Sequence, residues 1–457
     1  MSLSTKSLRV KIHPFNYVLL CASMAIFFGF SIGEVYACKF DLMKRFMLDN
    51  QEVDNILITF LLGAVAGVFL GGRVTYDTGR RFTIVGSFLL GAIAHSALLL
   101  SPAFSAYLIA QFVQGSAFGV YIISSLLYVS EIATQESRGK STMCVCLMLT
   151  IGIEISIFVG NLCYMHLYGA VISIVVLSFL LGIICFLRLP ESPRWLAVTG
   201  FTDAALSELF ILRKNTSIAA RELADINECA RGSDKGIALF LHSGSYRRTI
   251  WFLFFVTVLI YFSGYAFFPY ISIQLVTEVQ RRYYSLNNEL LYNYDFLKSG
   301  ITIVLLGAIT ATFTVDKIGR KKLMLGCIFV TELVLVLMYF LIFLGGNFGI
   351  MFLDTLVLVF IYAASIAMFV FFSTIVTELL PTQGRELGIS LIFFINFVGL
   401  MSSMMLFEML VQRLSLSGFF ALNLLFGALL FAFVYHSLQE LKGKTLEFLE
   451  LNYLRGN

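Results

Sequence analysis

Apolar segments long enough to cross a lipid bilayer follow one another along this chain and limit the folds open to it. Only 13% of the residues are charged, about half the share of a soluble domain. A helix needs about 20 apolar residues to cross the hydrocarbon layer. Twelve such segments can be counted, six in each half, at 14–36, 55–75, 82–101, 105–128, 141–163, 168–188, 249–272, 297–315, 322–343, 351–376, 387–409 and 417–437. The sequence therefore predicts an all-α membrane protein with twelve transmembrane helices, and it excludes a soluble enzyme.

A charged signature recurs at corresponding places in the two halves. EIATQESRG at Glu131–Gly139 and ELLPTQGRE at Glu378–Glu386 each place a glutamate seven residues before an arginine. Two looser repeats keep the same order. They pair Gly79-Arg80-Arg81 with Gly319-Arg320-Lys321, and Glu191-Ser192-Pro193-Arg194 with Glu440-Leu441-Lys442-Gly443-Lys444. Repeats at half the chain length predict two pseudo-symmetric six-helix bundles with charged loops on one side.

Lysine and arginine are unevenly distributed over the loops. With a cytoplasmic N-terminus, all but seven of the 32 lie on the cytoplasmic side, the exceptions being Lys39, Lys44, Arg45, Arg281, Arg282, Lys298 and Arg413. The positive-inside rule then places both termini in the cytoplasm, and we expect a multi-pass protein of the plasma membrane. The predicted parts are a first bundle, a cytoplasmic linker of short amphipathic helices, a second bundle and a cytoplasmic tail, at 1–193, 194–248, 249–437 and 438–457.

The repeated acids and bases are candidates for a gate. Charges at a membrane edge are costly to bury unless they are paired, so pairs that hold the inner side closed must separate when it opens. Such a network biases a two-state equilibrium, as alternating access requires. The candidate gating residues are Arg80, Arg81, Glu131, Arg138, Glu191, Arg194, Asp316, Arg320, Glu378 and Arg385. For Arg80 and Arg81, a role in membrane topology alone is the alternative.

Four motifs together resemble one known family. LPESPRWL at 189–196, YVSEIATQESRG at 128–139, VDKIGRKK at 315–322 and ELKGKTLE at 440–447 are similar to signatures of the sugar porter branch of the major facilitator superfamily. The resemblance covers nearly the whole chain in the right order. It implies the major facilitator fold, a cytoplasmic helical domain, a central substrate site and transport of a small solute, with a monosaccharide or polyol favoured.

The substrate site departs from the family pattern. Of the polar residues that relatives carry in the seventh span, this chain keeps Ser263-Gly264, and Cys146, Val304 and Ser373 stand at three other polar or aromatic positions. A sugar hydroxyl needs a partner for each polar atom that it desolvates. The residues expected to line the cavity instead are Thr150, Glu154, Tyr261, Ser263, Tyr265, Tyr270 and Asn396. Packing within the bundles is the alternative for each tyrosine.

The resemblance also indicates whether transport is coupled to protons. Proton-coupled relatives pair an aspartate in the first span with an arginine in the fourth, whereas this chain has Ser31 and Gln111 at those positions. The loss of both partners favours facilitated diffusion. A proton-coupled sugar symporter is the alternative, since Glu34 or Glu154 could replace the missing aspartate.

Two further functions stay open at this stage. An organic-ion carrier would use Glu154 as the partner of a cation. A non-transporting membrane sensor could keep the fold after losing the polar residues of the site. No nucleic acid is expected as a partner, because the basic residues sit beside membrane spans. No cofactor or metal is expected either, since the cysteines fall mostly in apolar segments and lack a ligand spacing.

Small residues mark one helix face in the second span. Gly63, Gly67 and Gly71 repeat every four residues, which leaves a smooth strip on which a neighbouring helix can approach closely. The spacing predicts a packing face for these glycines.

Overall fold

The computed structural model describes residues 14–162, 167–230, 236–265, 289–344, 349–446 and 448. Tyr270, Arg281 and Arg282, which the sequence analysis singled out, lie outside these residues. The chain divides into two compact units. Unit 1 comprises Met1–Thr249, Val376–Phe394 and Gly443–Asn457, and unit 2 comprises Ile250–Ile375 and Ile395–Lys442. Unit 1 therefore includes two short segments from late in the sequence, Val376–Phe394 and Gly443–Asn457.

Regular structure in the described residues is helical. Up to the linker the helices are α1 (Pro14–Ala37), α2 (Lys39–Phe46), α3 (Asn50–Thr78), α4 (Arg80–Leu100), α5 (Phe104–Ile132), α6 (Arg138–Leu162) and α7 (Leu167–Arg188). The linker holds α8 (Pro193–Val198), α9 (Thr202–Arg213), α10 (Thr216–Ala230) and α11 (Gly236–His242). After it come α12 (Gly244–Phe262), α13 (Glu289–Ile318), α14 (Arg320–Leu344), α15 (Gly349–Phe369), α16 (Val376–Leu379) and α17 (Arg385–Ser437).

Ten helices in the described part of the chain are long and apolar enough to cross a membrane. An eleventh, shorter apolar helix covers Ile174–Arg188. The remaining predicted span, 249–272, corresponds to α12, and its end falls outside the described residues. The long helix α17 contains two of the spans, Thr382–Leu406 being the first of them with its preceding turn and Ser417–Ser437 the second.

Glycines bring α3 and α5 of unit 1 into backbone contact. A methyl group on Gly63 or Gly67 would collide with backbone atoms of Phe112 or Ser116, and one on Gly71 would approach the backbone of Val120. Small residues allow such close approach in a lipid environment, where packing and not the hydrophobic effect holds helices together. The predicted packing role of the three glycines is confirmed.

The linker forms short helices with a core of their own, as the apolar periodicity predicts. Buried side chains of α8, α9 and α10 make up this core, among them Ala197, Leu209 and Ile226. Arg213 at the end of α9 donates to both carboxylate oxygens of Glu222, at 2.8 and 2.9 Å, and to the carbonyl of Ile132, at 3.0 Å. The last bond attaches the linker to the end of α5.

Unit 2 contains one irregular span. Between α15 and α16 the chain forms a π-helical turn, Val370–Ile375, whose side chains are all buried. A π-helical turn inserts an extra residue into a helix and changes the direction of the side chains that follow. The hydroxyl groups of Ser373 and Thr374 donate to backbone carbonyls one turn earlier, those of Phe369 and Val370.

Large apolar side chains stay exposed along the spanning helices. Phe69 of α3 is 73% exposed and Phe340 of α14 is 56% exposed. A soluble protein rarely leaves contiguous apolar surface of this kind in water. These faces are suited to contact with lipid tails.

Candidate functional site

Arg80, the first residue of α4, lies in the centre of a buried network in unit 1. Only 3% of the residue is exposed. Its guanidinium donates twice to Glu131, with Nε–Oε2 and Nη2–Oε1 distances of 3.1 Å. The same Nη2 atom donates to Glu386 Oε1 at 2.5 Å. Glu131 lies in the last turn of α5 and Glu386 in the first turn of α17, so one arginine joins charged signatures from the two halves of the sequence.

Further polar groups complete this cluster. Ser192 donates its hydroxyl to Glu131 Oε2, and Arg385, which is 1% exposed, lies within electrostatic range of the same carboxylate. Arg80 thus contacts two glutamates, whereas Arg385 donates its Nε–H to the Leu380 carbonyl at 3.0 Å. Buried charges are tolerated when they are paired and hydrogen-bonded. We call Arg80, Glu131, Ser192, Arg385 and Glu386 the arginine network.

A glutamate caps the first turn of α4. Glu191 Oε1 accepts from the backbone N–H groups of Arg80, Arg81 and Ser192, at 3.0, 3.1 and 2.9 Å. The N-terminus of a helix leaves such donors unpaired and carries a partial positive charge. Burial raises the pKa of the Glu191 carboxyl, and the backbone donors oppose that rise.

The same type of glutamate cap at a helix N-terminus occurs in unit 2. Glu440 Oε1 accepts from the backbone N–H groups of Arg320, Leu441 and Lys442, at 2.9, 3.0 and 3.1 Å. Both capped helices follow a glycine with positive φ, Gly79 at 91° and Gly319 at 103°. The looser sequence repeats therefore correspond to one local structure formed twice.

Contacts are also seen for other predicted gating residues. Arg138 Nη1 donates to the Lys444 carbonyl at 3.4 Å, and Arg81 donates to the Phe186 carbonyl. Arg320 Nη1 pairs with Asp316 in unit 2 at 2.9 Å. The side chains of Arg194 and Glu378 are buried in unit 1.

Two of the predicted substrate residues meet in unit 2. The Tyr261 hydroxyl of α12 donates to Asn396 Oδ1 of α17 at 2.7 Å. Tyr261 also lines a cavity of about 350 Å³, a size in the lower range of small-molecule pockets. The walls are mostly apolar, with polar side chains at Ser402, Ser403 and Asn423.

The hydroxyl groups of three other predicted substrate residues form hydrogen bonds within the protein. Thr150 donates to the Leu147 carbonyl and Ser263 to the Leu259 carbonyl, at 2.9 and 2.6 Å. The hydroxyls of Tyr265 and Thr331 lie 2.7 Å apart. Each of the three retains acceptor capacity for a ligand. Glu154 is half-buried in α6 of unit 1, and Tyr270 lies outside the described residues.

Comparison with known proteins places these features in one family. The model of the family described as "Sugar (and other) transporter" matches residues 17–453, nearly the whole chain. The chain belongs to the sugar (and other) transporter family. It is therefore a multi-pass membrane transporter and not an enzyme, as the motifs predicted.

Relatives across this transporter family are similar over their full length. An arabinose-proton symporter of Escherichia coli is 27% identical over 469 residues, covering 100% of this chain and 97% of its own. A probable polyol transporter of Arabidopsis thaliana is 25% identical, covering 96% and 86%. A proton:xylose symporter structure of the major facilitator superfamily superposes with a TM-score of 0.73 at 20% identity, covering 96% and 99%. The predicted major facilitator fold is confirmed.

The predicted substrate site left out several buried polar groups of this transporter. In α5, Gln111 and Gln114 are both buried, and the Gln111 Oε1 atom and both amide atoms of Gln114 have no hydrogen-bond partner among the described residues. The Ser31 hydroxyl of α1 is likewise unpaired and 2% exposed. Buried polar atoms are nearly always satisfied, so these are ready to accept a ligand's hydroxyl groups. Polar residues one turn apart in an apolar span were the available signal for Gln111 and Gln114.

Glu386, Ser192 and Glu440 were also absent from the predicted site. Glu386 adjoins the predicted Arg385, and Ser192 and Glu440 stand inside quoted motifs. Their partners come from distant parts of the sequence, which a motif does not reveal.

Proposed function

We propose that this transporter carries a monosaccharide or a polyol by alternating access, as a facilitative carrier. The substrate class is supported by the relatives of this chain, which include arabinose-proton and galactose-proton symporters and a probable polyol transporter. The observation that carries the mechanism is the contact of Arg80 with both Glu131 and Glu386. In this proposal the contact holds one end of the protein closed, because it joins helices from the two halves of the sequence.

Opening that end requires the arginine network to separate. Breaking a buried pair without replacement costs about 3–5 kcal/mol, because a charge is left uncompensated. Opening must therefore expose these side chains to water, which replaces the lost partners. A network with one buried and one hydrated arrangement biases a two-state equilibrium, and the solute shifts it through its different affinity for the two states.

Solute recognition is assigned to polar groups in each unit. In unit 1 the unpaired atoms of Ser31, Gln111 and Gln114 supply both donors and acceptors for hydroxyl groups. In unit 2 the Tyr261–Asn396 pair offers an aromatic face beside an amide. Sugars and polyols present many hydroxyls, each of which must exchange water for such partners.

Facilitated diffusion follows from Ser31 and Gln111. Neither residue ionises, and both are buried where proton-coupled relatives carry the acid and the base. We further propose that both termini lie in the cytoplasm, that the carrier works in the plasma membrane, and that the linker of residues 194–248 forms a cytoplasmic domain.

The test is counterflow in proteoliposomes made with the purified protein. Vesicles loaded with one unlabelled pentose, hexose or polyol receive a trace of the same compound in labelled form. A facilitative carrier produces a transient accumulation of label with no ion gradient. Leakage of label at the rate of empty vesicles across the whole panel would overturn the proposal.

A further inference from the structure

An acid and an imidazole meet inside unit 1, away from the arginine network. Glu34 Oε2 of α1 and His95 Nε2 of α4 are 3.3 Å apart. The His95 side chain is fully buried, whereas 16% of the Glu34 side chain is exposed. Fifteen residues separate His95 from Arg80 on the same helix, which corresponds to about 22 Å along its axis. The pair therefore lies toward the opposite end of the bundle.

The surroundings of His95 leave Glu34 as its partner. Neither ring nitrogen makes a well-aligned hydrogen bond to the described residues, so the 3.3 Å approach of Glu34 Oε2 to Nε2 is the polar contact of the ring. The Phe27 ring packs against the imidazole edge-to-face at 5.4 Å between ring centroids. In such an apolar site an unpaired carboxylate is costly, whereas a carboxyl and an imidazole that share one proton form either a neutral pair or an ion pair.

Other ionisable groups near the pair come from several neighbouring helices. Cys38 and Tyr107 lie within electrostatic range of Glu34, and Asp41 and Arg45 of α2 act on those two residues. Arg45 is bound to the Ser101 carbonyl at 2.7 Å. Asp54 of α3 acts on Tyr36, two residues from Glu34, and α6, which packs against α1, carries Glu154. Among the described residues, His95 forms no ion pair with a second acid.

We propose that Glu34 and His95 form a proton-binding site that controls the rate of solute exchange through pH. With one proton bound, the pair is satisfied and α1 stays against α4 as observed. Without it, the carboxylate turns toward water through its exposed side, and α1 separates from α4. Exchange requires the occluded arrangement, so loss of the proton slows it. This inference rests on the proposed function for its transport readout.

Proton binding is tested first, independently of transport. Potentiometric titration of the purified protein in detergent from about pH 5 to about pH 9 covers the range in which perturbed carboxyl and imidazole groups ionise. Glu34→Gln should bind one proton fewer than the wild type over that range. Glu332→Gln, which removes another carboxyl in a span, in α14 of unit 2, is the matched control for the transport measurement that follows. An unchanged proton count in a folded Glu34→Gln protein overturns the proposal.

The transport test is equilibrium exchange with equal pH on both sides of the vesicle. Above the midpoint, wild-type exchange should fall by about tenfold per pH unit, the limit for one proton. Glu34→Gln, which imitates the protonated carboxyl, should exchange at the acid-limit rate at every pH. His95→Gln should displace the midpoint by at least one pH unit, and Glu332→Gln should leave it in place.

The outcomes separate this proposal from the proposed function. A Glu34→Gln carrier that exchanges solute with the wild-type pH profile overturns the proton site and leaves the carrier intact. Absence of exchange for every solute refutes the carrier function, and the titration still decides the proton site. A uniform loss of exchange at all pH values, with the profile retained, assigns Glu34 a packing role and also overturns the proposal.

Discussion

Replacing Glu386 by glutamine removes one of the two carboxylates that contact the buried Arg80 guanidinium. Glu386 lies 2.5 Å from Arg80 Nη2, and its side chain is 11% exposed. A hydrogen bond to a charged group contributes about 1.5–3 kcal/mol. Because about 1.4 kcal/mol corresponds to a factor of ten, the equilibrium should shift roughly 10- to 150-fold toward the open arrangement. The bonds between Arg80 and Glu131 remain, so the protein should still fold.

The shift can be followed by the reactivity of one introduced thiol. Ser390 of α17 is 7% exposed and packs against Gly72 of α3, so Ser390→Cys should react with a maleimide only when this end opens. The described cysteines are all buried, and protein without the new thiol gives the background. We expect Glu386→Gln to raise the labelling rate in detergent by roughly 10- to 150-fold.

The matched control is Glu136→Gln, which removes an exposed carboxylate from the turn after α5. It should label at the wild-type rate. Labelling of Glu386→Gln at that same rate, in protein of unchanged thermal stability, would refute a closing role for the arginine network.

Three further predictions concern stability and affinity. Glu191→Ala should lower the free energy of unfolding by about 1–3 kcal/mol, because it leaves buried backbone donors unpaired; thermal denaturation in detergent measures this, and an unchanged Tm would contradict the capping role. Gly67→Leu should abolish folding through collision with α5, whereas Gly86→Ala should be tolerated, because a methyl group there meets nothing within 4 Å. Size-exclusion chromatography distinguishes folded from aggregated variants, and a monodisperse Gly67→Leu protein would refute the close contact. Tyr261→Phe should raise KM roughly 2- to 13-fold by loss of one hydrogen bond of about 0.5–1.5 kcal/mol, with kcat little changed; wild-type KM would remove Tyr261 from the site.

The spans and their packing faces could be predicted because each depends on local periodicity. Twenty apolar residues specify a crossing whatever their neighbours are, and glycines four residues apart specify a smooth face. The π-helical turn at Val370–Ile375 had no such signal, since its sequence is as apolar as the helices around it.

The sequence predicted several residues of the arginine network, but it did not predict which of them contact each other. The seven-residue spacing drew attention to Glu131 and Arg138. In the structure, Glu131 is bound by Arg80 of another helix, and Arg138 donates to the Lys444 carbonyl. Spacing along a helix gives the direction of a side chain but not the helix that it meets. The Glu34–His95 contact was also missed. Its two residues lie on different helices, and neither stands in a repeated motif.

A reversible cross-link at the closed end tests the account most directly. A Cβ atom on Gly72 would lie 3.4 Å from the Ser390 Cβ atom, close to the separation of about 3.5–4.5 Å in disulfides. Oxidation of the Gly72→Cys, Ser390→Cys protein should therefore join α3 to α17. We predict that solute exchange in proteoliposomes stops when the disulfide forms and returns on reduction. Continued exchange by fully cross-linked protein would contradict alternating access through this end.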